Sequence, residues 1–407
     1  MRRALELLAR PVRAARGKGR FVLRPYRGYG SRDEAFLIGR VFRQPTFGSG
    51  PGGGVLSHQL IDILRGVLRR GVADAALMAR FYGAEQRVTT DRDGYFRVHM
   101  RPAQPPADRL WHRMELELQS PTQFRAAGDI FIPPPTRRYV VISDIDDTVM
   151  YTGVARKLVM LWRLFMQGAA SRVAFPGMAA LLRALHYGRS GAELNPMLYV
   201  SRGPWSIYEV LDEFFNLHRI PVGPLLFLRE WGLTLWRPLP RRAEDHKLKL
   251  IRNMLALYHD LPFVLIGDSG QHDPEVYAQI VHEHPGRVVA IYIRNVSREP
   301  ERQRAIEALA VEVVAAGSSL LLAADSMAMA EHAALHGLIA PEALAAVQGE
   351  KQVHHDEPEP RPTRAIERPT ADETRAAVRG ELREALEQES VEGSPPNVLV
   401  EADRTRR

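Results

Sequence analysis

The stretch 139–148, YVVISDIDDT, constrains the fold more than any other part of this 407-residue chain. It begins with an apolar run of the kind that forms a strand buried on both faces of a parallel sheet. Three carboxylates, those of Asp144, Asp146 and Asp147, follow at once. Two carboxylates about 4 Å apart repel by roughly 4 kcal/mol at an effective dielectric constant near 20. A fold that gathers them needs a cation or a bound proton, and oxygen ligands favour Mg²⁺.

An acidic turn after a strand is often only a solvated loop, so the metal-site interpretation depends on further motifs along the chain. Three of them follow in order. The apolar run Met197–Val200 ends at Ser201, Lys247 lies in a helical stretch, and a third run ends at Asp268, with Asp273 five positions later. Because ligands bind at the carboxyl ends of the strands in an open parallel sheet, we expect the four motifs to converge there.

The order and spacing of these motifs resemble the haloacid dehalogenase superfamily of phosphotransferases. The segments DIDDT, LYVSRGPW, the pair His246-Lys247 and GDSGQHDPEVY resemble one branch in particular, the actin-patch type of phosphatidate phosphatase. The resemblance covers roughly residues 139–345. It implies an α/β fold with a HAD-like (Rossmannoid) parallel sheet, helices on both faces and a small cap. The short insertion after Thr148 implies an active site that is open to a large substrate.

The resemblance also implies roles for individual residues. Asp144 would be the nucleophile that receives the phosphoryl group, and Asp146 would act first as general acid and then as general base. Thr148 would orient the loop. Ser201 and Lys247 would be the other catalytic residues and would bind the substrate phosphate together with Thr148. Arg202 is also expected to contact the anionic substrate.

The cofactor implied by the resemblance is Mg²⁺, which would offset charge that otherwise repels the substrate phosphate. Its ligands would be carboxylate oxygens of Asp144 and Asp268 and the backbone carbonyl oxygen of Asp146. Asp273 would either contact the ion directly or hydrogen-bond to one of the other ligands. His246 and His272 are expected to have no catalytic role, and the role of Asp147 is left open.

Strand patterns, prolines and composition predict four parts of the chain: a basic segment 1–20, a β-rich, sandwich-like accessory domain 21–132, the catalytic domain 136–347 and a disordered charged tail 348–407. The stiff run Pro133–Pro135 marks the boundary before the catalytic strand.

In the accessory domain, strands are expected at Phe21–Gly30, Ala35–Arg43, Tyr95–Met100 and Arg109–Leu118. In the catalytic domain, helices are expected at Val154–Gln167, Met178–Leu185, Ser206–Asn216, His246–His259 and Ser326–Leu335. The remaining strands are expected at Leu225–Leu228, Phe263–Ile266, Val288–Ile293 and Val313–Leu322. Strands that alternate with helices predict a parallel sheet with right-handed connections.

The net charge of +7 is unevenly distributed. Residues 1–50 hold twelve Lys or Arg against three Asp or Glu, an excess of nine that is larger than that of the whole chain. Leu5, Leu8 and Val12 lie near one helical face among arginines, although Pro11 would interrupt a helix. The basic end is therefore either solvated surface or a contact with an anionic membrane, and no nucleic-acid partner is expected.

The absence of cysteine excludes disulfides, thiolate metal sites and a cysteine nucleophile, and it fits a reducing cytoplasm. No apolar run reaches the 20 or so residues that span a bilayer, and no signal peptide is recognised. The Gly-rich stretch Phe47–Gly54 lacks the features of a phosphate-binding loop and is expected to be flexible. Trp231 and Trp236 lie in an arginine-rich segment and serve either packing or a lipid-facing rim.

Three functions remain open at this point. The chain is a phosphatidate phosphatase acting at a membrane surface, a phosphatase for a small soluble phosphoester, or a non-catalytic module that binds a membrane or a partner. The complete set of acidic and basic motif residues argues against the third function. A short cap, a basic end and the two tryptophans favour the lipid substrate over the soluble one.

Overall fold

The computed structural model of the protein describes residues 20–44, 70–104, 106, 109–145, 175–201, 205, 208–227, 243–297 and 299–356. These residues form two sheets, and both sheets lie within one compact unit that ends at His354. Five expected features lie wholly or largely outside the described residues: the basic segment 1–20, the loop Phe47–Gly54, the helix Val154–Gln167, the segment with Trp231 and Trp236, and the tail 348–407 from residue 357 onward. The first residues expected in that tail, 348–356, belong instead to the helix Ala343–Asp356.

The first sheet contains nine strands of the described residues: β1 (Arg20–Pro25), β2 (Gly28–Gly30), β3 (Ala35–Gln44), β4 (Arg70–Gly71), β5 (Ala76–Phe81), β6 (Ala84–Thr89), β7 (Tyr95–Met100), β8 (Trp111–Leu118) and β9 (Phe124–Phe131). The main path is β1-β3-β2-β9-β8-β5-β6, and β4 and β7 also pair with β3. All pairs are antiparallel except β2 with β9. The expected β-rich region is thus confirmed.

Alternating side chains build the core of this sheet. In β5 and β7 every second residue is buried, as expected for strands with one face inward. Leu37 of β3 and Phe96 of β7 belong to the same buried cluster as Leu77 of β5 and Leu116 of β8. All nine strands are hydrogen-bonded into one sheet, and buried side chains from most of them form one apolar cluster.

Four strands of this sheet, β4, β5, β6 and β9, were not expected from the sequence. No residue of β6 is fully buried, so it lacks the apolar alternation by which strands are recognised. The two-residue turn between β5 and β6 identifies this hairpin more clearly than the pattern of β6 does. Phe81 pairs with Ala84 around Tyr82 and Gly83, whose φ angles are 43° and 78°. Two positive φ angles in a two-residue loop are typical of a type I′ hairpin turn.

The second sheet contains six strands, all parallel: β10 (Val140–Asp144), β11 (Met197–Ser201), β12 (Leu225–Phe227), β13 (Phe263–Asp268), β14 (Val288–Arg294) and β15 (Leu320–Ala323). Their order is β12-β11-β10-β13-β14-β15. Strands β10, β11 and β13 are buried at every position, because helices cover both faces. The predicted α/β class with a parallel sheet is confirmed, and the strand of the YVVISDIDDT stretch lies in the interior of the sheet.

Seven helices are described: α1 (Met178–Tyr187), α2 (Tyr208–Leu217), α3 (Ala243–Leu257), α4 (Asp273–Glu283), α5 (Pro300–Ala315), α6 (Ser326–Leu335) and α7 (Ala343–Asp356). Helices α1, α2, α6 and α7 contribute to one buried cluster, together with Val141 of β10. Helices α3, α4 and α5 contribute to a second cluster, together with Val140 and Ile142. Neighbouring residues of β10 thus point to opposite faces of the sheet, and the helices form a layer on each face.

The strand expected at Val313–Leu322 is wrong for its first half. Helix α5, which was not expected, ends at Ala315, and β15 begins only at Leu320. Gly317, with φ at 82°, lies in the turn that separates them. The apolar run includes both the end of a helix and a short strand, so its length alone was misleading. Pro300 at the first turn of α5 was the available signal for a helix start.

The two sheets meet at an aromatic contact. Tyr26, in the connection between β1 and β2, stacks on Trp205 with ring centroids 4.6 Å apart and lies equally close to Tyr208 of α2. The backbone N–H of Arg27 donates to the Tyr208 hydroxyl at 3.1 Å, and its guanidinium pairs with Asp212 of α2. Tyr26 is buried within the core of the parallel sheet's helical layer, so the two sheets share packing rather than touching only at their surfaces.

Candidate active site

The carboxyl edge of the parallel sheet collects the described residues that the motifs single out. Asp144 ends β10, Asp268 ends the adjacent β13, and Ser201 ends β11 on the other side of β10. Lys247 lies on α3, and Asp273 begins α4. All five are buried, with exposures of 1% or less. The common direction of the strands brings these residues to one edge, as the sequence predicts.

Lys247 connects two of the carboxylates. Its Nζ donates to Asp144 Oδ1 at 2.7 Å and to Asp273 Oδ1 at 2.5 Å, and it lies 5.6 Å from the centroid of the Tyr277 ring. The spacing of Lys247, Ile251 and Met254 places all three on the buried face of α3. The helix is held to the sheet by apolar packing, and that packing carries the ammonium group to the two carboxylates.

The charge of this lysine is maintained by its partners. Burial by itself lowers the pKa of Lys247, but the charges of Asp144 and then Asp273 outweigh it and hold the pKa well above its ordinary value. The side chain is therefore an ammonium ion at neutral pH. Burial, followed by the charge of Asp273, raises the pKa of Tyr277 well above its usual range, so this phenol stays neutral. Removing one partner from such a buried ion pair leaves an uncompensated charge.

The acidic loop, residues 268–273, is tightly folded. Asp268 Oδ1 accepts from the backbone N–H groups of Gly270 and Gln271 at 2.8 and 2.9 Å, and Asp273 Oδ2 accepts from the Asp268 N–H at 3.3 Å. A Cβ atom at Gly267 would lie 2.3 Å from Asp273 Oδ2. Glycine is therefore required at 267 for the Asp273 carboxylate to approach the end of β13 this closely.

Three carboxylates at this edge could hold a metal ion. Asp144, Asp268 and Asp273 each offer one oxygen, and these oxygens lie within 4.8 Å of one another. Together with the ammonium group of Lys247 they leave two negative charges. Because Mg²⁺ takes oxygen ligands and carries two positive charges, the residues present fit this ion in both ligand type and charge.

The neighbouring strand ends complete the described part of the site. The N–H of Ile145 bonds the carbonyl of Val200 at 2.9 Å, so β10 and β11 stay paired up to the position before Ser201. Arg294 was not singled out from the sequence. It ends β14 in register with Asp268, and its guanidinium lies 3.4 Å from the Phe175 ring centroid. The sequence feature that could have identified Arg294 is a cation at the end of an apolar strand, as in IYIR.

Several expected site residues cannot be placed. Asp146, Asp147, Thr148 and Arg202 lie outside the described residues, and their roles stay predictions. The two histidines with no expected role are described: His246 is partly buried on α3, and His272 is exposed just before α4. Within the described ranges, no helix combines the length and apolar character needed to cross a membrane.

The fold and the site define an α/β protein with a candidate divalent-metal site at the carboxyl edge of its sheet. Residues 139–295 match the family described as "Phosphatidate phosphatase APP1, catalytic domain". The predicted resemblance of this segment to the actin-patch type of phosphatidate phosphatase is confirmed.

Two curated relatives extend the comparison. Phosphatidate phosphatase APP1 of Saccharomyces cerevisiae is 31% identical over 155 residues, which are 38% of this chain and 25% of that protein. An uncharacterized protein of Schizosaccharomyces pombe is 25% identical over 244 residues, which are 56% of this chain and 39% of that protein. The chain thus spans well under half the length of both relatives.

Similarity to solved structures is weak. A carbohydrate acetylesterase from Xanthomonas citri is 10% identical and aligns over 70% of this chain and 71% of its own length. Its TM-score of 0.20 is too low to indicate a common fold.

Proposed function

We propose that the chain is a Mg²⁺-dependent phosphatase that hydrolyses a phosphomonoester through an aspartyl phosphate on Asp144. The observation that carries this proposal is the buried ammonium group of Lys247, bonded to both Asp144 and Asp273 beside Asp268. The similarity of residues 139–295 to the catalytic domain of a phosphatidate phosphatase supports it. A HAD-like architecture with a small cap after Thr148 belongs to the same proposal.

In the first step, a carboxylate oxygen of Asp144 attacks the phosphorus atom while the bond from phosphorus to the leaving alkoxide breaks. Asp146 donates a proton to that alkoxide. In the second step, Asp146 takes a proton from water as the water oxygen attacks the phosphorus, which releases phosphate and restores Asp144. One difficult hydrolysis is thereby divided into two displacements.

Charge stabilisation accompanies both steps. The ammonium group of Lys247 contacts the Asp144 carboxylate and neutralises charge on the transferring oxygens. The remaining phosphate contacts would come from Ser201 and Arg202, with Thr148 orienting the loop. When bound, Mg²⁺ would add positive charge next to the phosphate, held by oxygens of Asp144, Asp146 through its backbone carbonyl, Asp268 and Asp273. Because both oxygens of Asp273 accept hydrogen bonds within the site, this residue also orients Lys247 and the end of β13.

Phosphatidate is the substrate that we favour. The similarity to a phosphatidate phosphatase and the basic end, residues 1–50, support a phosphorylated lipid at an anionic membrane surface. The alternative with the same chemistry is a soluble phosphoester, and the retained acidic set weighs against a non-catalytic module. We further propose a cytoplasmic location with peripheral membrane contact and no nucleic-acid partner.

The decisive experiment measures phosphate release from phosphatidate in mixed micelles and from a panel of soluble phosphoesters, with Mg²⁺ and after chelation. We expect Mg²⁺-dependent turnover, highest on phosphatidate. Asp144→Asn should abolish turnover in a protein that still folds, as circular dichroism would verify, because the amide keeps the shape of the side chain but is not a nucleophile. Full activity after exhaustive chelation, or near-normal turnover by Asp144→Asn, would contradict the mechanism. Preference for a soluble ester would contradict the substrate alone.

Membrane contact through residues 1–20 is tested by liposome flotation of intact and truncated protein at two salt concentrations. Each basic residue near an anionic surface contributes on the order of 1 kcal/mol, screened within about 10 Å at 0.1 M salt. Truncation and salt should both weaken flotation. Activity on a soluble short-chain analogue is the control and should be unaffected. Equal flotation of both forms at both salt concentrations would identify the basic end as ordinary solvated surface.

A further inference from the structure

The acidic loop 268–273 is held from outside by a single side chain of α5. The guanidinium of Arg302 donates through Nε to the Ser269 carbonyl at 2.9 Å and through Nη2 to the Gln271 carbonyl at 2.6 Å. It also pairs with both carboxylate oxygens of Glu275, in the first turn of α4. One planar group therefore bonds the loop at two points and the following helix at a third.

A second contact holds the same loop from the neighbouring strand. The Ser269 hydroxyl oxygen accepts from the backbone N–H groups of Val296 and Ser297, each at 2.9 Å. The N–H of Ser269 bonds the carbonyl of Arg294, at the end of β14. The loop is thus anchored on the β14 side through Ser269 and on the α5 side through Arg302. Two of the three carboxylates of the candidate metal site, Asp268 and Asp273, lie at its two ends.

We propose that Arg302 is a positioning residue for the metal site: it fixes the loop so that Asp268 and Asp273 present their oxygens together. This inference rests on the proposed Mg²⁺ site. Three carboxylates within 4.8 Å of one another repel, and without the ion the loop would relax in the direction that separates them. Arg302 lies beyond residues 139–295, so the segment matched to the catalytic family does not contain this contact.

Geometry and charge make opposite predictions for this residue. The hydrogen bond to Glu275 is the largest influence that raises the pKa of Arg302, burial opposes it, and the charges of Asp268 and Asp273 add to it. The guanidinium charge therefore reaches the metal site, where it repels Mg²⁺. If Arg302 acted through charge alone, its removal would tighten Mg²⁺ binding. If Arg302 positions the loop, its removal weakens Mg²⁺ binding, because the oxygens are no longer held together.

Two substitutions separate these effects. Arg302→Lys keeps the positive charge but cannot make the planar, two-sided contact with the carbonyls and Glu275. Arg302→Met removes both charge and hydrogen bonds. The Arg302 and Glu275 side chains are 20% and 40% exposed, so the charge left behind at Glu275 reaches solvent and the fold should persist. The matched control is Arg252→Lys, since Arg252 makes the same bidentate pair with Glu283 on α3 and α4 but does not contact the acidic loop.

The experiment titrates each full-length protein with Mg²⁺ and follows the Mg²⁺-induced rise in melting temperature, without substrate. Circular dichroism verifies folding. We expect Arg302→Lys and Arg302→Met to weaken Mg²⁺ binding about 10-fold or more, the range known for residues that orient metal ligands. Arg252→Lys should bind Mg²⁺ as the wild type does. In turnover assays, saturating Mg²⁺ should restore much of the rate.

Wild-type affinity in Arg302→Lys, or tighter binding in Arg302→Met, would overturn the positioning role. A wild-type protein that does not respond to Mg²⁺ would overturn it as well. The proposed function fails separately: if no phosphoester is hydrolysed but Arg302→Lys still weakens Mg²⁺ binding, the positioning role stands and the assigned reaction is wrong.

Discussion

Replacing Lys247 with Met tests the electrostatic centre of the site most directly. Methionine has a similar length and volume, so the buried face of α3 stays filled. The change removes the ammonium group that lies 2.7 Å from an oxygen of Asp144 and 2.5 Å from an oxygen of Asp273. Two buried carboxylates then face each other with no cation between them. We expect the variant to be destabilised and inactive.

The size of the effect follows from the burial of all three groups. Their side chains are at most 1% exposed, so solvent cannot screen the remaining charges. Removing one partner of a buried ion pair costs about 3 to 5 kcal/mol. In a unit of this size, each kcal/mol lowers the melting temperature by about 2 to 4 °C, so we expect a fall of roughly 6 to 20 °C.

The dependence of this effect on pH has a definite sign. The pKa of Lys247 is higher in the folded state than its ordinary value of 10.5, so its contribution is fully present below that value. It is lost only as the pH rises further, through the folded-state pKa. The advantage of the wild type over Lys247→Met should therefore be the same at pH 7 and pH 9 and should shrink only in more alkaline solution.

The assay is chemical unfolding of both proteins, with and without Mg²⁺. Lys249→Met is the control, because Lys249 is exposed on the same helix. Mg²⁺ at 100 times its dissociation constant stabilises a binding protein by about 2.7 kcal/mol. The ion should stabilise Lys247→Met more than the wild type, since the variant has one more uncompensated negative charge. A loss below about 1 kcal/mol, or one no greater than that of Lys249→Met, would refute the reasoning.

Three further predictions concern other parts of the molecule. Gly267→Ala places a Cβ atom 2.3 Å from Asp273 Oδ2, so we expect weaker Mg²⁺-induced stabilisation in a thermal titration; an unchanged response would show that the loop adapts. Tyr26→Ala removes the ring between the two sheets and should cost about 3 to 5 kcal/mol in urea unfolding, whereas Tyr26→Phe should keep most of the stability; no loss in Tyr26→Ala would mean that the shared packing is dispensable. Asp325→Ala removes the side chain that caps α6, at a cost of about 1 kcal/mol. Burial opposes the shift, but the hydrogen bonds from Lys351 and from the helix N–H groups lower the pKa of Asp325. The stabilisation by this carboxylate should therefore be present above pH 3.8, its ordinary pKa, and be lost in stronger acid. Equal acid stability of the wild type and Asp325→Ala would count against it.

The identity of the main elements followed from local patterns. The run Val140–Ile142 is buried on both faces, as a continuous apolar strand in a parallel sheet must be. Helix α6 was predicted with the bounds that the structure shows, Ser326–Leu335. The order of the motifs also predicted that Asp144, Ser201 and Asp268 lie at the ends of neighbouring strands, because a parallel sheet collects such ends at one edge.

Two of the errors in the prediction arose where burial was low. Helix α5 buries only Ile306 and Val313, so its apolar spacing is faint, and the stronger apolar run that begins in its last turn was assigned to a strand. Strand β6 buries no residue fully, and its sequence has no alternation to recognise. Periodicity reports how deeply one face of an element is buried, and it is weak for elements at the edge of a fold.

The partners of the site residues were decided by the tertiary structure alone. The sequence singled out Lys247, but its bonds to Asp144 and Asp273 join residues 103 and 26 positions apart. The contacts of Arg302 with the acidic loop and of Tyr26 with Trp205 carried no sequence signal. Apolar burial is non-directional, so a pattern shows that a face is covered without showing what covers it. Hydrogen bonds to backbone carbonyls become predictable only after packing has set the position and rotation of each helix.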